Sequence, residues 1–214
     1  MNALFRDRID AGRQLGQTLL TRYDKKPCTL VLGLPRGGVP VAHEVARALQ
    51  IPLDILVVRK LGLPAQQEYA MGAIASGGVT YIDDTVIKAM QVSQSSLEAV
   101  IETESVELGR RERAYRQGLK PLDITQKTVI LVDDGLATGA TMRAAIAAAR
   151  SMKPARIVVA IPVAAADTLE KIRREADDVI CLATPFPFRA VGVWYEHFPQ
   201  TTDEEVKALV AQAN

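Results

Sequence analysis

Five short apolar runs, rich in β-branched residues, recur along the chain: Cys28–Leu32, Leu53–Val58, Thr128–Val132, Arg156–Val163 and Val179–Leu182. Between them lie segments with apolar residues at helical spacing, Val39–Leu49, Ala140–Met152 and Ala165–Ala176, and another, Asp7–Leu20, precedes them all. A strand that is apolar on both faces needs cover on both, and a parallel sheet flanked by helices supplies it. The alternation therefore predicts an α/β fold with a mostly parallel sheet and right-handed crossovers.

The chain of 214 residues is expected to form a single domain, with a core over about residues 24–183. At this size about 70% of the unfolded surface is buried on folding, so no disulfide or metal is needed to hold the core. Lys and Arg number 26 against 25 Asp and Glu, a net charge of +1. That balance argues against a nucleic-acid partner, which would call for a basic face. Cys28 and Cys181 each sit in an apolar run and read as buried thiols of a reducing compartment. The longest apolar run, Ile157–Ala166, is interrupted by Pro162 and falls short of the ~18 residues of a membrane span. Met1–Asp10 mixes Arg and Asp without an apolar signal core. A cytoplasmic protein with no membrane partner is expected.

Two regions depart from the alternation. Arg59–Gly78 carries Gly62, Pro64, Gly72, Gly77 and Gly78, and reads as a long mobile loop running into a hairpin. Gly77-Gly78 is its turn and Val79–Ile82 the return strand. A helix capped by Asp84 runs to Met90, and Ser95 with Glu98 reads as a capping box opening the next one. That helix is acidic first and basic last, with Arg110, Arg111, Arg113 and Arg116, an order that suits the macrodipole; a solvated helix end accounts for the arginines. The tail from Thr184 holds Phe186, Phe188, Trp194, Tyr195 and Phe198. It reads as a small cap over residues 184–198, followed by a terminal helix over residues 203–212.

The richest segment is Thr128–Thr141, an apolar strand ending in Asp133-Asp134, then Gly135, Ala137, Thr138, Gly139, Ala140 and Thr141. Successive N–H groups at such a loop and helix start form an anion nest. Two carboxylates beside a phosphate need hydroxyls or a cation between them. The chemistry points to a phosphorylated sugar with a divalent ion.

This segment resembles the 5-phosphoribosyl-1-pyrophosphate (PRPP) binding signature of the type I phosphoribosyltransferases, and is most like the bacterial members of unassigned acceptor. The resemblance extends over the chain and implies that family's parallel, Rossmann-like sheet flanked by helices. Gly33–Gly38 corresponds to the pyrophosphate loop, where a strained peptide is implied, Arg59–Gly78 to the flexible catalytic loop, and Thr184–Phe198 to the hood. It implies that Asp133 and Asp134 bind the ribose hydroxyls and Mg²⁺, directly or through its water. Gly135, Ala137, Thr138, Gly139, Ala140 and Thr141 would hold the sugar and its 5-phosphate, and Arg36, Gly37 and Gly38 the pyrophosphate. Arg59 and Lys60 would reach the pyrophosphate on closure, with Glu68 and Tyr69 as lesser candidates. In the hood, Phe186, Phe188, Trp194 and Tyr195 are candidates to stack on a base.

The implied activity is Mg²⁺-dependent transfer of the 5-phosphoribosyl group from PRPP to a nitrogenous acceptor, with nucleobases foremost. Relatives acting on hypoxanthine or guanine carry an acidic residue where this chain has Ala137, so no acid/base is assigned. A homodimer is a further expectation. The alternative is a PRPP-binding regulator with the same fold and little catalysis. His43 and His197, far apart in sequence, read as structural.

Overall fold

The computed structural model describes residues 3–64, 66–116 and 120–213, with the side chains of residues 66–69 left aside, so Glu68 and Tyr69 lie outside what is described. Its centre is a five-stranded parallel sheet. β1 (Thr29–Gly33) lies between β2 (Leu53–Ile55) and β6 (Thr128–Val132). β7 (Arg156–Val163) and β8 (Asp178–Ala183) follow outward. All four pairings are parallel, and β1 and β6 run level from Thr29 opposite Thr128 to Gly33 opposite Val132. Val129, Ile130, Leu131 and Val132 are all fully buried, because the sheet is covered on both faces. On one face Val31, Ile130 and Val158 pack with Leu15 and Leu19 of α1 (Arg8–Tyr23) and Val41 and Val45 of α2 (Gly38–Leu49). On the other, Leu32, Leu131 and Val159 pack with Met142 and Ile146 of α5 (Ala140–Ser151) and Leu169 and Ile172 of α6 (Ala166–Glu175).

A second, three-stranded antiparallel sheet corrects the expectation of a long mobile loop. β3 (Val58–Leu63), β4 (Gln66–Ala75) and β5 (Val79–Ile82) are ordered strands, turning at Gly77 and Gly78, whose φ are +82° and +74°. Glycine here marks close approach as well as turning: a Cβ on Gly72 would lie 2.3 Å from the Tyr81 carbonyl oxygen of the paired strand. Leu61, Leu63, Met71 and Ile74 bury with Leu97 and Leu108 of α4 (Gln94–Tyr115). The expected strand Leu53–Val58 is accordingly split, since the chain leaves the parallel sheet after Ile55 and Val58 already pairs with Ala75.

Three local expectations also change. Asp83 rather than Asp84 caps α3 (Asp84–Ala89), its carboxylate accepting from the amides of Thr85 and Val86. Ser93 rather than Ser95 caps α4, accepting from the Ser96 amide. Cys28 is exposed rather than buried, because it sits at φ +53° in the turn before β1; Cys181 is half-buried.

The chain ends in a one-turn 3₁₀ segment (Val191–Trp194) and α7 (Asp203–Gln212), the latter opened by a reciprocal capping box between Thr202 and Glu205. The 3₁₀ segment carries the hood. Its Trp194 carbonyl accepts from the amides of Leu4 and Phe5, so the N-terminal residues are stitched to it. No described helix is long and apolar enough to cross a membrane.

Candidate active site

β1 and β6 are neighbours, so the loops leaving their C-terminal ends meet, as ligand-binding loops of open α/β sheets do. The Leu34 amide donates to the Val132 carbonyl at 2.9 Å and pins the first loop to the second. The first loop turns tightly, Gly38 donating to the Leu34 carbonyl and Val39 to the Arg36 carbonyl, and contains a cis Pro35–Arg36 peptide. Its two glycines lie directly on the acidic pair. A Cβ on Gly37 would sit 2.1 Å from Asp134 Oδ2, and one on Gly38 would sit 2.6 Å from the Val132 carbonyl oxygen and 2.9 Å from Asp133 Cα. No side chain fits at either position without moving the carboxylates or the strand end.

Asp133 and Asp134 are held differently. Asp133 Oδ1 accepts from the Asp134 amide at 2.9 Å. Burial, and then the neighbouring Asp134 charge, push its carboxyl well above the usual carboxylate range. Burial also raises Asp134, but Arg8 opposes it. Arg8 Nε donates to Asp134 Oδ2 at 2.9 Å, Nη1 donates to the Pro199 carbonyl at 2.6 Å, and the guanidinium lies 3.7 Å from the Phe198 ring centroid. The Tyr195 hydroxyl donates to the Asp134 carbonyl oxygen at 2.6 Å. Arg8 belongs to no motif of the acidic segment, and sequence reasoning missed it; an arginine just inside an N-terminal helix gives no signal of a partner 126 positions away.

Beyond the acidic pair, Gly135 is a seat for the hood, since a Cβ there would lie 2.6 Å from Val191 Cγ1. Leu136 is tied to the neighbouring strand end, its amide donating to the Val163 carbonyl. The Thr168 hydroxyl braces the next turn by donating to the Ala137 carbonyl at 2.7 Å, and its methyl closes on Gly139, whose φ is +72°. Gly139 caps α5 with no side-chain hydrogen bond, and Ala137, Thr138 and Thr141 are exposed beside the first turn, where the Ala140 amide donates weakly to the Thr138 hydroxyl at 3.5 Å. An anion is stabilised by such a terminus through its free amides and the helix dipole.

The outlying candidates separate. Arg36 keeps an ion pair with Asp203 of α7 at 3.6 Å and is about one-third exposed, with a side-chain exposure of 34%. Asp203 in turn accepts from the Tyr115 hydroxyl at 2.7 Å. Burial, then this carboxylate, pushes the Tyr115 phenol up to about 12. Arg59 is tied to Glu104 of α4 at 2.6 Å, and Lys60 lies beside it along a groove bounded by Ser96 and Thr103. No described contact joins either to the acidic pair. Phe186 is almost fully exposed, at 96%, with a cis Phe186–Pro187 peptide. Phe188 is half-buried and packs against Trp194. Trp194 and Tyr195 are corrected as stacking candidates: both rings are 5% exposed, enclosed with Phe5, Phe198 and Val163, and have no free face for a base. No group of three or more metal-capable side chains occurs among the described residues.

Comparison with known proteins shows the family. The model of the phosphoribosyl transferase domain matches residues 6–197. A Mycobacterium tuberculosis protein named "Putative phosphoribosyl transferase Rv0571c" is 46% identical over 211 residues, which are 99% of this chain but 47% of that protein. The chain thus spans about half the length of the curated relatives it matches. The crystal structure of TT1426 from Thermus thermophilus is 39% identical, with a TM-score of 0.89 over 98% of both chains. A hypoxanthine-guanine phosphoribosyltransferase from Bacillus anthracis shares the fold alone, at 13% identity and a TM-score of 0.50 over 88% of this chain and 85% of that one. Matched by that family model over residues 6–197 and 46% identical to a relative along 99% of its own length, the chain belongs to the phosphoribosyl transferase domain family.

Proposed function

We propose that the protein is a type I phosphoribosyltransferase that transfers the 5-phosphoribosyl group of PRPP to a nitrogenous acceptor, with a nucleobase as the first class to test. The observation carrying this reading is the packing of Gly37 and Gly38 onto Asp133 and Asp134 at the ends of adjacent parallel strands. It supports a loop suited to a diphosphate lying against carboxylates suited to sugar hydroxyls, on the strand that runs on to the Gly139 helix start.

In this reading the backbone at Thr138–Thr141 binds the 5-phosphate. Asp133 and Asp134 orient the ribose hydroxyls, while Arg36 and the Gly37 amide receive the diphosphate and Gly38, its own amide held by the Leu34 carbonyl, gives the close approach. Breaking the C1–oxygen bond leaves a cationic sugar beside the carboxylates and an anion beside Arg36, so charges that develop in the transition state meet preset opposite ones. The two carboxylates suit Mg²⁺ only in part. Magnesium keeps most of its shell as water and substrate phosphate oxygen, with one or two protein carboxylates. Asp134 Oδ2 already accepts from Arg8, so Asp133 is the residue to hold the ion's shell. Mg²⁺ would supply neutralisation of the departing diphosphate. The exposed Phe186 is the hood residue best suited to meet a base. Cytoplasmic location and a homodimer remain part of this proposal.

One observation favours a PRPP-binding regulator instead. Arg59, the cation expected to close on the diphosphate, is committed to Glu104. Pyrophosphate release from PRPP, measured with Mg²⁺ against a panel of purine and pyrimidine bases and with Asp133→Asn as blank, decides between them. Base-dependent release that the variant abolishes supports the transferase. PRPP binding without release above blank supports the regulator.

A further inference from the structure

Asp203 opens α7, and two other elements converge on its carboxylate, the end of α4 and the glycine loop. From α4 the Tyr115 hydroxyl donates to Oδ1 at 2.7 Å, and from the loop Arg36 Nη1 approaches the same oxygen at 3.6 Å. The Tyr115 hydrogen bond first, and then the charges of Arg36, Arg110 and Arg111, lower the carboxyl below its ordinary value. Asp203 is therefore an anion at neutral pH.

The two partners of this oxygen are held unequally. Tyr115 is 3% exposed and packs with Leu97, Leu108, Val206 and Val210, so a shared core joins α4 to α7 beneath the hydrogen bond. Asp203 follows Thr202, whose reciprocal capping box with Glu205 fixes the helix start. A carboxylate in a first turn also meets the positive end of the helix dipole. The anion is thus anchored. Arg36 is the loose partner, about one-third exposed, and among the described residues its side chain has no other charged partner. Its backbone is fixed, because Gly37 and Gly38 press on Asp134 and Asp133. Only the guanidinium is able to change partners.

We propose that Asp203 is a resident counter-anion for Arg36, which it holds while the glycine loop is empty and which an incoming diphosphate must win from it. This deepens, and rests on, the reading of that loop as the diphosphate site. Asp203 touches no substrate; it is a positioning residue that acts through Arg36. A diphosphate offers more charge and more acceptor oxygens than one carboxylate and so takes the guanidinium. Tyr115 and the helix start keep Asp203 behind when Arg36 turns to the ligand. The same carboxylate recaptures the guanidinium when the diphosphate leaves, which keeps the loop from holding its product too tightly.

The test is calorimetric titration of inorganic pyrophosphate, without metal, into the wild-type protein, Asp203→Asn, Arg36→Ala and the double variant. Asn keeps an oxygen for the Tyr115 hydroxyl and removes only the charge; Asp203→Ser removes the same charge with a different side chain. Both charge-free variants should bind pyrophosphate about two- to fivefold tighter than the wild type, the range that releasing an exposed ion pair commands. The gain should disappear in the Arg36→Ala background. A merely structural role for Asp203 would lower affinity instead. Unchanged or weaker binding in both charge-free variants, beside intact wild-type binding, overturns the proposal alone. So does a gain that survives undiminished in the Arg36→Ala background, since the carboxylate then acts on the ligand directly and not through the guanidinium. If neither the wild type nor the charge-free variants bind pyrophosphate, the diphosphate reading of the glycine loop falls and the role of Asp203 falls with it.

Discussion

Two arginines belong to the candidate site, Arg8 from α1 and Arg36 from the glycine loop, and the structure treats them in contrary ways. Arg8 is buried, with its Nε on Asp134, an Nη on the Pro199 carbonyl and its plane on Phe198. Arg36 is about one-third exposed and meets a single carboxylate, Asp203, at 3.6 Å. A buried guanidinium with Nε and Nη1 both donating and its face on an aromatic ring belongs to the architecture. One with a loose, solvated partner is available to exchange it for an incoming anion, because an exposed pair contributes only about 0–1 kcal/mol. Charge next to a site therefore does not by itself mark a ligand-binding residue. How fully that charge is already satisfied decides.

The contrast predicts a graded set of effects. Arg8→Ala should have the largest. It leaves a largely buried Asp134 without its cation and unpins the tail at Pro199, a loss of about 3 kcal/mol in denaturant unfolding; Arg8→Lys should recover only part, since an ammonium reproduces neither the fork nor the stacking. A loss under about 0.5 kcal/mol would erase the distinction drawn between the two arginines.

Next comes Gly38→Ala. A Cβ 2.6 Å from the Val132 carbonyl must displace either the loop or the strand end. Overpacking of this kind costs about 1–3 kcal/mol, and PRPP affinity should fall with it.

Asp133→Asn should go the other way in stability. Burial raises the folded-state carboxyl, so the unfolded chain gives up its proton at lower pH than the folded one. Stability then falls as pH rises from the ordinary Asp range to the folded value, and stays level above it. The variant should gain stability at pH 7, where the folded wild type carries the cost of ionising a buried carboxyl. The gain should vanish on acidification below the ordinary carboxylate range, as thermal unfolding at the two pH values will show, while PRPP binding is lost.

Arg36→Ala should move stability least, within about 0.5 kcal/mol, yet weaken PRPP binding by calorimetric titration. If unfolding shifts as far as in Arg8→Ala, Arg36 is structural after all.

Most of the parallel sheet was legible because its signal is local. Thr128–Val132 and Arg156–Val163 coincide with the expected strands, since continuous burial on both faces writes continuous apolar runs. The acidic pair and the Thr138–Thr141 helix start were legible for a related reason, as loop and terminus chemistry is carried by adjacent residues. The antiparallel sheet was legible only in its Gly77-Gly78 turn and return strand Val79–Ile82; β3 and most of β4 read as a loop. Its glycines report closeness to another strand, and a single sequence does not separate that from a loop. The aromatic tail was misread for want of the same information. Phe186, Trp194 and Tyr195 are alike in composition, yet one ring is bare and two are enclosed by Phe5, Phe198 and Val163.

What the chain determined by itself, then, was the order of its strands and helices and the residues at the ends of β1 and β6, because periodicity and loop chemistry act over a few positions. Tertiary structure alone decided which charges are spent and which are free. Arg8 found Asp134, Arg59 found Glu104, and Asp203 met both Tyr115 and Arg36. Each pairing joins residues tens of positions apart or more, and burial and partner distance, which set the worth of a charge, exist only once the chain has closed on itself.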